Sequence, residues 1–329
     1  MKPIKWDGQK ITQPGIYSGI PIDLYHGDIC DGPSVSSSGL GKIVDESPAD
    51  YWATSYMNPE REDDEDAADE SSALLLGRAV HHLILGEKNF KSAFVIQPQT
   101  YTSEKDGEKP WSNNAKVCKE WHAEQRRAGR AVLTKSDAET IIGMAKSVGR
   151  DEMVQAGILK GLIEHSIFWK DKKTGIWLKA RPDNIPAYAI AEGGRSADIS
   201  DLKTIINVQW KTIDKAIEDR GYYRQAALNR LGLREVGGID VSSFTLVFVG
   251  KKKPWSTRPI ILKPGSLDKG DEVIRVGLDV MARCLADKAW PGPGRGPARD
   301  IAEYAELSEW AVNRIDARLQ RLKDTFAIK

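Results

Sequence analysis

The sequence predicts an α/β protein of the α+β type, with a mixed central β-sheet flanked by helices. Apolar residues recur at three-and-four spacing in several segments before residue 155 and after residue 264, which is typical of amphipathic helices. Between these segments lie three strand-like runs, one helical segment and two further strand-like runs, bounded by turn residues. The chain shows no internal repeat. This order of elements predicts strands of both directions in a sheet covered by helices.

The composition indicates an ordinary globular protein of one large or two modest domains. The 329 residues are 29% charged and 40% hydrophobic. No apolar run reaches the ~18 residues that a membrane span needs, and the segment MKPIKWDGQK lacks the apolar core of a signal peptide. Cys30, Cys118 and Cys284 lie far apart, which argues against a disulfide framework and against a four-cysteine metal site. We therefore expect a cytoplasmic protein with no membrane contact.

Three regions are expected within one compact domain. Residues 1–70 form an N-terminal leader with short helices and an acidic loop, residues 71–265 form the core, and residues 266–329 form a C-terminal helical extension. The first 35 residues are rich in Gly, Pro and single polar residues and predict irregular structure. Serine caps and the breaker Pro48 then predict two short helices, the second beginning PADYWA.

An acidic run follows at residues 60–70. The segment EREDDEDAADE holds eight acids and one base and so carries −7. Since the whole chain carries +1, the remaining residues carry +8. Such runs are usually solvated and often disordered. The functional alternative is a mobile acidic flap that repels DNA or mimics its backbone.

The helices and strands after the acidic run follow from periodicity and turn signals. SSALLLGRAVHHLILGEKNF, from Ser71, predicts a helix after a serine cap, and two more helices are predicted between residues 111 and 155. LIEHSIFWKDKKTGIWLKARPDNIP predicts a hairpin, ADISDLKTI a strand, and VQWKTIDKAIEDRGYYRQAALNRLG a helix broken at Gly221. SFTLVFVGKKKPWSTRPIILKP predicts a second hairpin. A helix within residues 269–290, the linker PGPGRGPARD and a last amphipathic helix complete the chain.

The strand ADISDLKTI places Asp201 and Lys203 on one face, because side chains two residues apart in a strand point the same way. A symmetric turn in the first hairpin would pair Lys170 with Ile176 and bring Glu164 next to Asp183. Three carboxylates from three strand segments would then converge, and such a group is costly without a cation. Mg²⁺ prefers these oxygen ligands.

Two structural alternatives stay open for these residues. Asp-x-Lys is a common triplet, and it recurs at Asp171 within the turn of the first hairpin, so Asp201 and Lys203 could be charges on a solvated strand. Arg181 and Lys203 could also offset the carboxylates in a structural ion-pair cluster.

Together these residues resemble the PD-(D/E)xK nuclease pattern, most closely that of the RecE (exonuclease VIII) type of phage recombination exonuclease. The pattern consists of Glu164 in GLIEHSIFW, Asp183 in RPD, and Asp201 and Lys203 in DLKT. Three further stretches resemble that family, in the family's order, and the similarity covers residues 34–265. They are SVSSSGLGKIVDESPADYWA, LLLGRAVHHLILGEKNF with Arg78 replacing a threonine, and GYYRQAALNRLG. The resemblance implies a restriction-endonuclease-like core with N- and C-terminal helical additions.

The resemblance implies a metal site for Mg²⁺ or Mn²⁺, with one or two ions. Asp183 and Asp201 would bind the metal through carboxylate oxygens, the Leu202 backbone carbonyl could add a ligand, and His81 would supply a nitrogen. Glu164 would bind through a water or hold a second ion. Lys203 would position the attacking water, help to deprotonate it and stabilise charge on the phosphorus oxygens. The structural alternative for His81 is a core histidine with a satisfied hydrogen bond.

The resemblance also implies DNA contacts from one helix face. Tyr222 and Gln225 lie three residues apart on the predicted helix and would contact the DNA backbone or end. Related nucleases often carry Tyr four residues after this Gln, whereas this chain has Asn229, which makes Asn229 doubtful as a DNA contact. Without a ligand, Tyr222 would be a half-buried aromatic residue, and Gln225 would face solvent.

A basic hairpin tip is a further candidate for DNA contact. In GKKKPW, Lys251, Lys252 and Lys253 could bind phosphates and Trp255 could stack on a base. The alternative is a tip whose charges only favour solubility.

The implied function is a Mg²⁺-dependent exonuclease that digests linear double-stranded DNA 5′→3′ and leaves 3′ single-stranded tails. Its expected partners are DNA ends, a phage single-strand annealing protein and further copies of the chain in a ring. A phage or prophage origin is expected. The alternatives are an endonuclease or CRISPR-adaptation-like nuclease with the same fold, and a non-catalytic DNA-binding protein on that scaffold. The iron–sulphur form of the adaptation nuclease needs four clustered cysteines, which this chain lacks.

Overall fold

A computed structural model describes residues 2–62, 72–86, 90–103, 107–191, 194–293 and 306–326. The strands are β1 Ile4–Lys5, β2 Gly15–Ser18, β3 Ser34–Ser36, β4 Phe94–Ile96, β5 Thr100–Ser103, β6 Gly107–Pro110, β7 Ala131–Leu133, β8 Leu162–Ile163, β9 Ser166–Lys170, β10 Trp177–Ala180, β11 Asn184–Ile185, β12 Ser196–Ile205, β13 Asp240–Gly250 and β14 Thr257–Ile261. The helices are α1 Ile22–His26, α2 Ser37–Gly41, α3 Pro48–Ala53, α4 Ser72–Ile84, α5 Phe90–Ala93, α6 Lys116–Arg127, α7 Lys135–Val148, α8 Glu152–Gln155, α9 Ala187–Ile190, α10 Trp210–Asp219, α11 Tyr222–Gly237, α12 Pro264–Asp287 and α13 Glu309–Phe326. A π-helical turn, Lys42–Glu46, connects α2 to α3.

Two mixed sheets form the framework of the fold. The larger has the strand order β1-β2-β9-β10-β3, with parallel pairs at both edges and antiparallel pairs in the middle. The smaller has the order β12-β13-β14, with β12 parallel and β14 antiparallel to β13. The short antiparallel pair β8–β11 continues the path of the β9–β10 hairpin toward β12. The predicted fold class, with helices and mixed sheets, is confirmed.

Helices cover both faces of β12 and β13. Ile199 and Phe248 belong to the main core cluster, where α11 and α12 pack. Leu202 and Val247 belong to a second cluster with α4 and α7. Burial on both faces explains why VSSFTLVFVG reads as a nearly continuous apolar run rather than an alternating one.

The N-terminal 35 residues depart from the predicted irregular leader. β1 and β2 add to the larger sheet through the pairing of β2 with β9, and Ile16 belongs to the main core cluster. Tyr17 packs edge-on against Phe168 of β9, with ring centroids 5.7 Å apart. Local composition did not reveal these strands because they are short, and their stability comes from a strand 150 residues away in sequence.

The first hairpin has a register one residue different from the predicted one. Lys170 pairs with Trp177 rather than with Ile176. The Asp171 carboxylate accepts hydrogen bonds from both the backbone and the hydroxyl of Thr174, and Gly175 adopts φ 72°. The loop that these contacts close, residues 171–176, is one residue longer than that of the symmetric turn. The consequence reaches the far end of the hairpin, where Glu164 lies directly opposite Asp183.

The chain forms two units, Met1–Pro291 and Gly292–Lys329. The predicted boundaries after residues 70 and 265 stay predictions. Most of the acidic run 60–70 and most of the linker PGPGRGPARD lie outside the described residues. Within the described ranges, none of the helices has the length and apolarity required to cross a bilayer.

Candidate metal centre and active site

Asp183 and Asp201 lie side by side on neighbouring strand segments. Asp201 is in the middle of β12 and is fully buried, and Asp183 directly precedes β11 and is 7% exposed. The Asp183 backbone N–H donates to Asp201 Oδ1 at 3.2 Å, and the Leu202 backbone N–H donates to Asp183 Oδ2 at 2.6 Å. These bonds hold the two carboxylates at one point of the fold.

Helix α4 brings His81 to the same point. It packs on the face of β12 that carries Leu202, and Gly77 permits a close approach because a Cβ there would lie 3.3 Å from Thr204 Oγ1. One turn later, His81 Nδ1 lies 3.5 Å from Asp183 Oδ2. The imidazole is also within hydrogen-bonding reach of the Leu202 backbone carbonyl. The structure thus brings together the imidazole, the carbonyl and the carboxylate that the sequence singled out.

Glu164 faces this group from the opposite strand, in an unusual backbone conformation. Its φ is 54°, and its backbone N–H donates to the Asp183 carbonyl at 3.2 Å. A left-handed conformation costs a non-glycine residue roughly 1–3 kcal/mol and persists only where surrounding contacts enforce it. Arg181 provides such contacts: its Nε lies 3.0 Å from Glu164 Oε2 and donates to the Glu164 carbonyl at 3.1 Å. Arg181 therefore fixes both the backbone and the carboxylate of Glu164.

The resulting cluster is compact. One ligand atom each from His81, Glu164 and Asp183 lies within 4.8 Å of the others, and Asp201 adjoins them through its bond to the Asp183 backbone. Burial and the Asp201 carboxylate raise the pKa of Asp183 well above its ordinary value. Burial and the Lys203 ammonium lower the pKa of His81 to about 4, so its imidazole is neutral near pH 7 and has a free lone pair.

Lys203 lies beside the cluster as a buried cation. Its Nζ is 2.5 Å from Asp201 Oδ2 and 4.9 Å from the centre of the Tyr222 ring. Burial opposes its charge, but the carboxylates of Asp201 and Asp183 raise its pKa above the ordinary value. The side chain is therefore an ammonium that donates hydrogen bonds. An ammonium at this position suits the orienting and charge-stabilising roles expected from the sequence, and its part in deprotonating the water stays a prediction.

The donor set fits a divalent cation. The carboxylates of Glu164 and Asp183 converge with the neutral His81 imidazole, and Asp201 adjoins them. Burial, and then the neighbouring Asp201 carboxylate, raise the pKa of Asp183, as expected for a carboxylate in such a group without a bound cation. Carboxylate and carbonyl oxygens suit Mg²⁺ or Mn²⁺, and the imidazole nitrogen suits transition metals such as Mn²⁺. The ligands would be Asp183, Asp201, His81, Glu164 and the Leu202 carbonyl.

Tyr222 and Gln225 lie on the side of this cluster where α11 packs. The Tyr222 ring is half-buried, and its hydroxyl accepts a hydrogen bond from Arg220 at 3.4 Å. Gln225, one turn later, lines a cavity that Glu164 also lines. Both residues therefore border the candidate site, and their contact with DNA stays a prediction.

The basic hairpin tip follows β13 at the end of the sheet nearest Lys203. Lys252 and Lys253 are exposed, and Lys251 donates to a backbone carbonyl of α4 at 3.2 Å. Trp255 has a packing role that the sequence did not indicate, because its ring lies against Gly143 of α7, where a Cβ would meet ring atoms at 2.5 Å. Phosphate contacts of the lysines and base stacking by Trp255 stay predictions.

Sequence reasoning missed two residues near the site. Arg181 was recognised only as a compensating charge, although it holds Glu164 in place. Lys179 was not recognised at all, although it is 3% exposed and lines the same cavity as Glu164. The signal was a lysine within the otherwise apolar strand IWLKA, since lysine is almost never fully buried without a partner.

Comparisons with known proteins identify the family of the chain and a protein with a similar fold. The model of the family described as "PDDEXK-like domain of unknown function (DUF3799)" matches residues 36–297. Among solved structures, a protein from Eubacterium rectale named "Putative exonuclease" has a similar fold. The TM-score is 0.50 at 14% identity, over 87% of this chain and 92% of that chain. No curated protein matches the sequence. Because the family match spans most of the chain, the protein belongs to the family of PDDEXK-like domains of unknown function, within the PD-(D/E)xK nuclease superfamily.

Proposed function

We propose that the protein is a divalent-metal-dependent deoxyribonuclease that digests linear double-stranded DNA from an end. The observation that carries the proposal is the cluster of His81, Glu164 and Asp183, with buried Asp201 bonded to the Asp183 backbone and the Lys203 ammonium beside it. The PDDEXK-like family and the shared fold support nuclease chemistry for this group. The cluster combines ligands for a cation with a donor for the anionic phosphate.

Each side chain has a distinct task in this proposal. Asp183, Asp201, Glu164 and His81 hold one or two ions of Mg²⁺ or Mn²⁺. A bound ion of this kind supplies positive charge at the phosphodiester and makes water more acidic. The Lys203 ammonium, fixed by Asp201, orients the nucleophile and stabilises negative charge on the phosphorus oxygens.

The proposal that digestion begins at a DNA end rests on similarity to other proteins. Digestion from an end is supported by the resemblance to RecE-type exonucleases and by the name of the E. rectale protein. Several finer parts of the proposal rest on the sequence analysis alone. They are the 5′→3′ direction, the 3′ tails, a phage annealing partner, a homo-oligomeric ring, a phage or prophage origin and a cytoplasmic location. A ring would hold the remaining strand and make digestion processive.

A comparison of DNA topologies tests the proposed mode. Linear duplex and covalently closed circular duplex are incubated with the protein in Mg²⁺ or Mn²⁺, and again with excess chelator. We expect degradation of linear DNA only, and only with metal. Cleavage of circles would instead indicate an endonuclease, and binding without cleavage a non-catalytic scaffold.

His81→Ala should raise the Mn²⁺ concentration needed for half-maximal activity by about 10- to 100-fold, because it removes a nitrogen ligand that is neutral and free to bind. Titrations of Mn²⁺ at fixed DNA concentration measure this effect. The neighbouring His82 offers a matched control, since its ring packs on Phe90 of α5 and Phe94 of β4. His82→Ala should lower the melting temperature and leave the metal requirement unchanged. If His81→Ala behaves like this control, His81 is a core histidine and not a ligand.

A further inference from the structure

The last helix, α13, carries a stripe of apolar side chains along one face. The stripe consists of Val312, Ile315, Leu319, Leu322 and Phe326. Four of these side chains are well exposed, from 38% for Val312 to 67% for Phe326. None of the residues of α13, all of which belong to the described part of the chain, is buried. Because a helix in a protein is stabilised mainly by packing of its apolar face, an exposed stripe of this kind indicates an interaction surface.

The spacing of the stripe is that of a coiled coil. Successive members are three, four, three and four residues apart, which is the a/d pattern of a heptad repeat. Trp310 lies outside this pattern and has a contact of its own, since the guanidinium of Arg314 lies 4.5 Å from the centre of its ring. A seam that repeats about every 3.5 residues fits a second helix with a seam of the same period. The spacing therefore selects another helix as the partner.

The charges beside the seam show how a second copy of α13 could align. The flanking residues are Asp316 and Lys323 at e positions, and Arg318 and Thr325 at g positions. In a parallel pair, the g residues of one helix face the e residues of the other, so Arg318 would face Lys323 on both sides of the pair. Like charges opposite each other are unfavourable. The parallel arrangement is therefore disfavoured.

An antiparallel pair satisfies both the seam and the charges. In one alignment Ile315 packs against Phe326 of the second copy, and Leu319 packs against Leu322 of the second copy. Asp316 then faces Lys323 of the second copy. Each of these contacts occurs twice, because a pair of identical helices in this arrangement has two-fold symmetry. Opposite charges at such flanking positions set the orientation of coiled coils.

Sliding the two helices by one heptad removes this match. Leu319 would then pack against Ile315, Asp316 would face its own copy, and Arg318 would face its own copy. Both flanking contacts would join like charges. The sequence of α13 therefore favours one antiparallel alignment.

We propose that α13 is a self-association helix, through which two copies of the chain pair in an antiparallel two-stranded coiled coil. The contact is isologous, because each copy presents the same surface to the other. A ring of the kind proposed above requires a head-to-tail contact between two different surfaces. The α13 contact is therefore additional to a ring and joins either two single chains or two rings. It does not depend on nuclease activity.

Shortening the seam tests whether the copies meet through it. Leu319→Ala and Leu322→Ala are combined in one full-length chain, since alanine preserves the helix. Each lost side chain counts twice in the symmetric pair, so the dissociation constant should rise by at least about 100-fold. Sedimentation equilibrium over a range of protein concentrations measures this constant, and at high concentration the mass should fall by half. Gln320→Ala is the matched control, because Gln320 lies outside the seam and donates to Asp324 within the same helix.

Exchanging the flanking charges tests the direction of the pair. Lys323→Glu places acids opposite each other, and Asp316→Lys places lysines opposite each other. Each change alone should weaken self-association by about 5- to 10-fold at low salt. The two variants should associate with each other when they are mixed, because the acids of one then face the lysines of the other. A chain that carries both changes should self-associate like the unaltered protein.

Two results would overturn the proposal. One is an equal mass, at every concentration, for the unaltered protein and the Leu319→Ala, Leu322→Ala variant. A lower melting temperature of that variant would then show that the stripe packs on its own chain, and an unchanged melting temperature that it serves a different protein. The other is stronger self-association of Lys323→Glu, which would indicate a parallel pair, since Glu at this position would face Arg318.

Discussion

Replacing Lys203 with alanine should lower the rate of DNA cleavage by about 10²- to 10³-fold while DNA is still bound. The ammonium lies 2.5 Å from Asp201 and beside the carboxylate cluster, where a phosphodiester would gather negative charge during attack. The surrounding carboxylates raise the pKa of Lys203, so its side chain stays positively charged throughout the neutral range and can stabilise the negative charge on the phosphate. Single-turnover cleavage at saturating metal and protein measures the chemical step separately from binding.

The chain contains its own control for this experiment. Asp171 and Lys173 form the second Asp-x-Lys triplet discussed above, but Lys173 is exposed and pairs with Asp279 on α12. Lys173→Ala should cleave DNA at the unaltered rate. Lys203→Ala should also destabilise the metal-free protein by about 3–5 kcal/mol, because fully buried Asp201 loses its counter-ion. Unimpaired cleavage by a well-folded Lys203→Ala protein would contradict the assigned role.

Asp183→Asn should abolish cleavage and also abolish the stabilisation that Mn²⁺ gives to the folded protein. The carboxylate is the central member of the cluster, within reach of His81 and bonded to the backbone of β12. An amide cannot neutralise a divalent ion, so binding should weaken by several orders of magnitude. Melting curves with and without Mn²⁺ measure the loss directly.

The stability of the metal-free protein and its stabilisation by Mn²⁺ should both depend on pH through Asp183, in opposite directions. The folded pKa of Asp183 is raised, chiefly by burial and by Asp201, so this group favours folding below its unfolded pKa of about 4. That contribution is lost as the pH rises through the folded pKa. As the pH rises from the unfolded pKa of Asp183 through its folded pKa, the free energy of unfolding of the metal-free protein should therefore fall relative to that of Asp183→Asn. Stabilisation by Mn²⁺ should grow over the same range, because the ion competes with the proton.

Lys269→Ala is a suitable control for the metal experiments, since Lys269 is exposed and pairs with Glu272 one turn later on α12. It should show the same metal stabilisation and pH profile as the unaltered protein. If Asp183→Asn keeps full stabilisation by Mn²⁺, the cluster is a structural ion-pair network and the metal assignment is wrong.

Much of the candidate site could be predicted from sequence because its residues follow local rules. Asp201 and Lys203 share a face through strand alternation, and both residues indeed point toward the side of β12 where α11 packs. His81 was selected by its place in a helix motif. Its approach to Asp183 is helped by Gly77, where a Cβ would make a tight contact of 3.3 Å with Thr204 Oγ1 of β12.

Other features could not be read from local patterns. The register of the first hairpin depends on the hydrogen bonds that the Asp171 carboxylate accepts from Thr174 within the turn. A shift of the register by one residue changes which residue lies opposite Asp183. The packing of Trp255 depends on Gly143, which lies on a helix more than 100 residues earlier in the chain. The burial of Lys179, whose ammonium donates to the Gly27 carbonyl, becomes visible only once the strands and the N-terminal segment have packed.

The sequence by itself determined the fold class and the central helices and strands, and it indicated the types of ligand at the candidate site, because periodicity, turn residues and side-chain chemistry are properties of short segments. The tertiary structure alone decided how Glu164 is held, which face of α4 meets β12, and that a buried lysine lines the cavity beside Glu164. These features arise from contacts between residues far apart in the chain, and the balance of burial, charge and hydrogen bonding at such contacts exists only once the segments have packed.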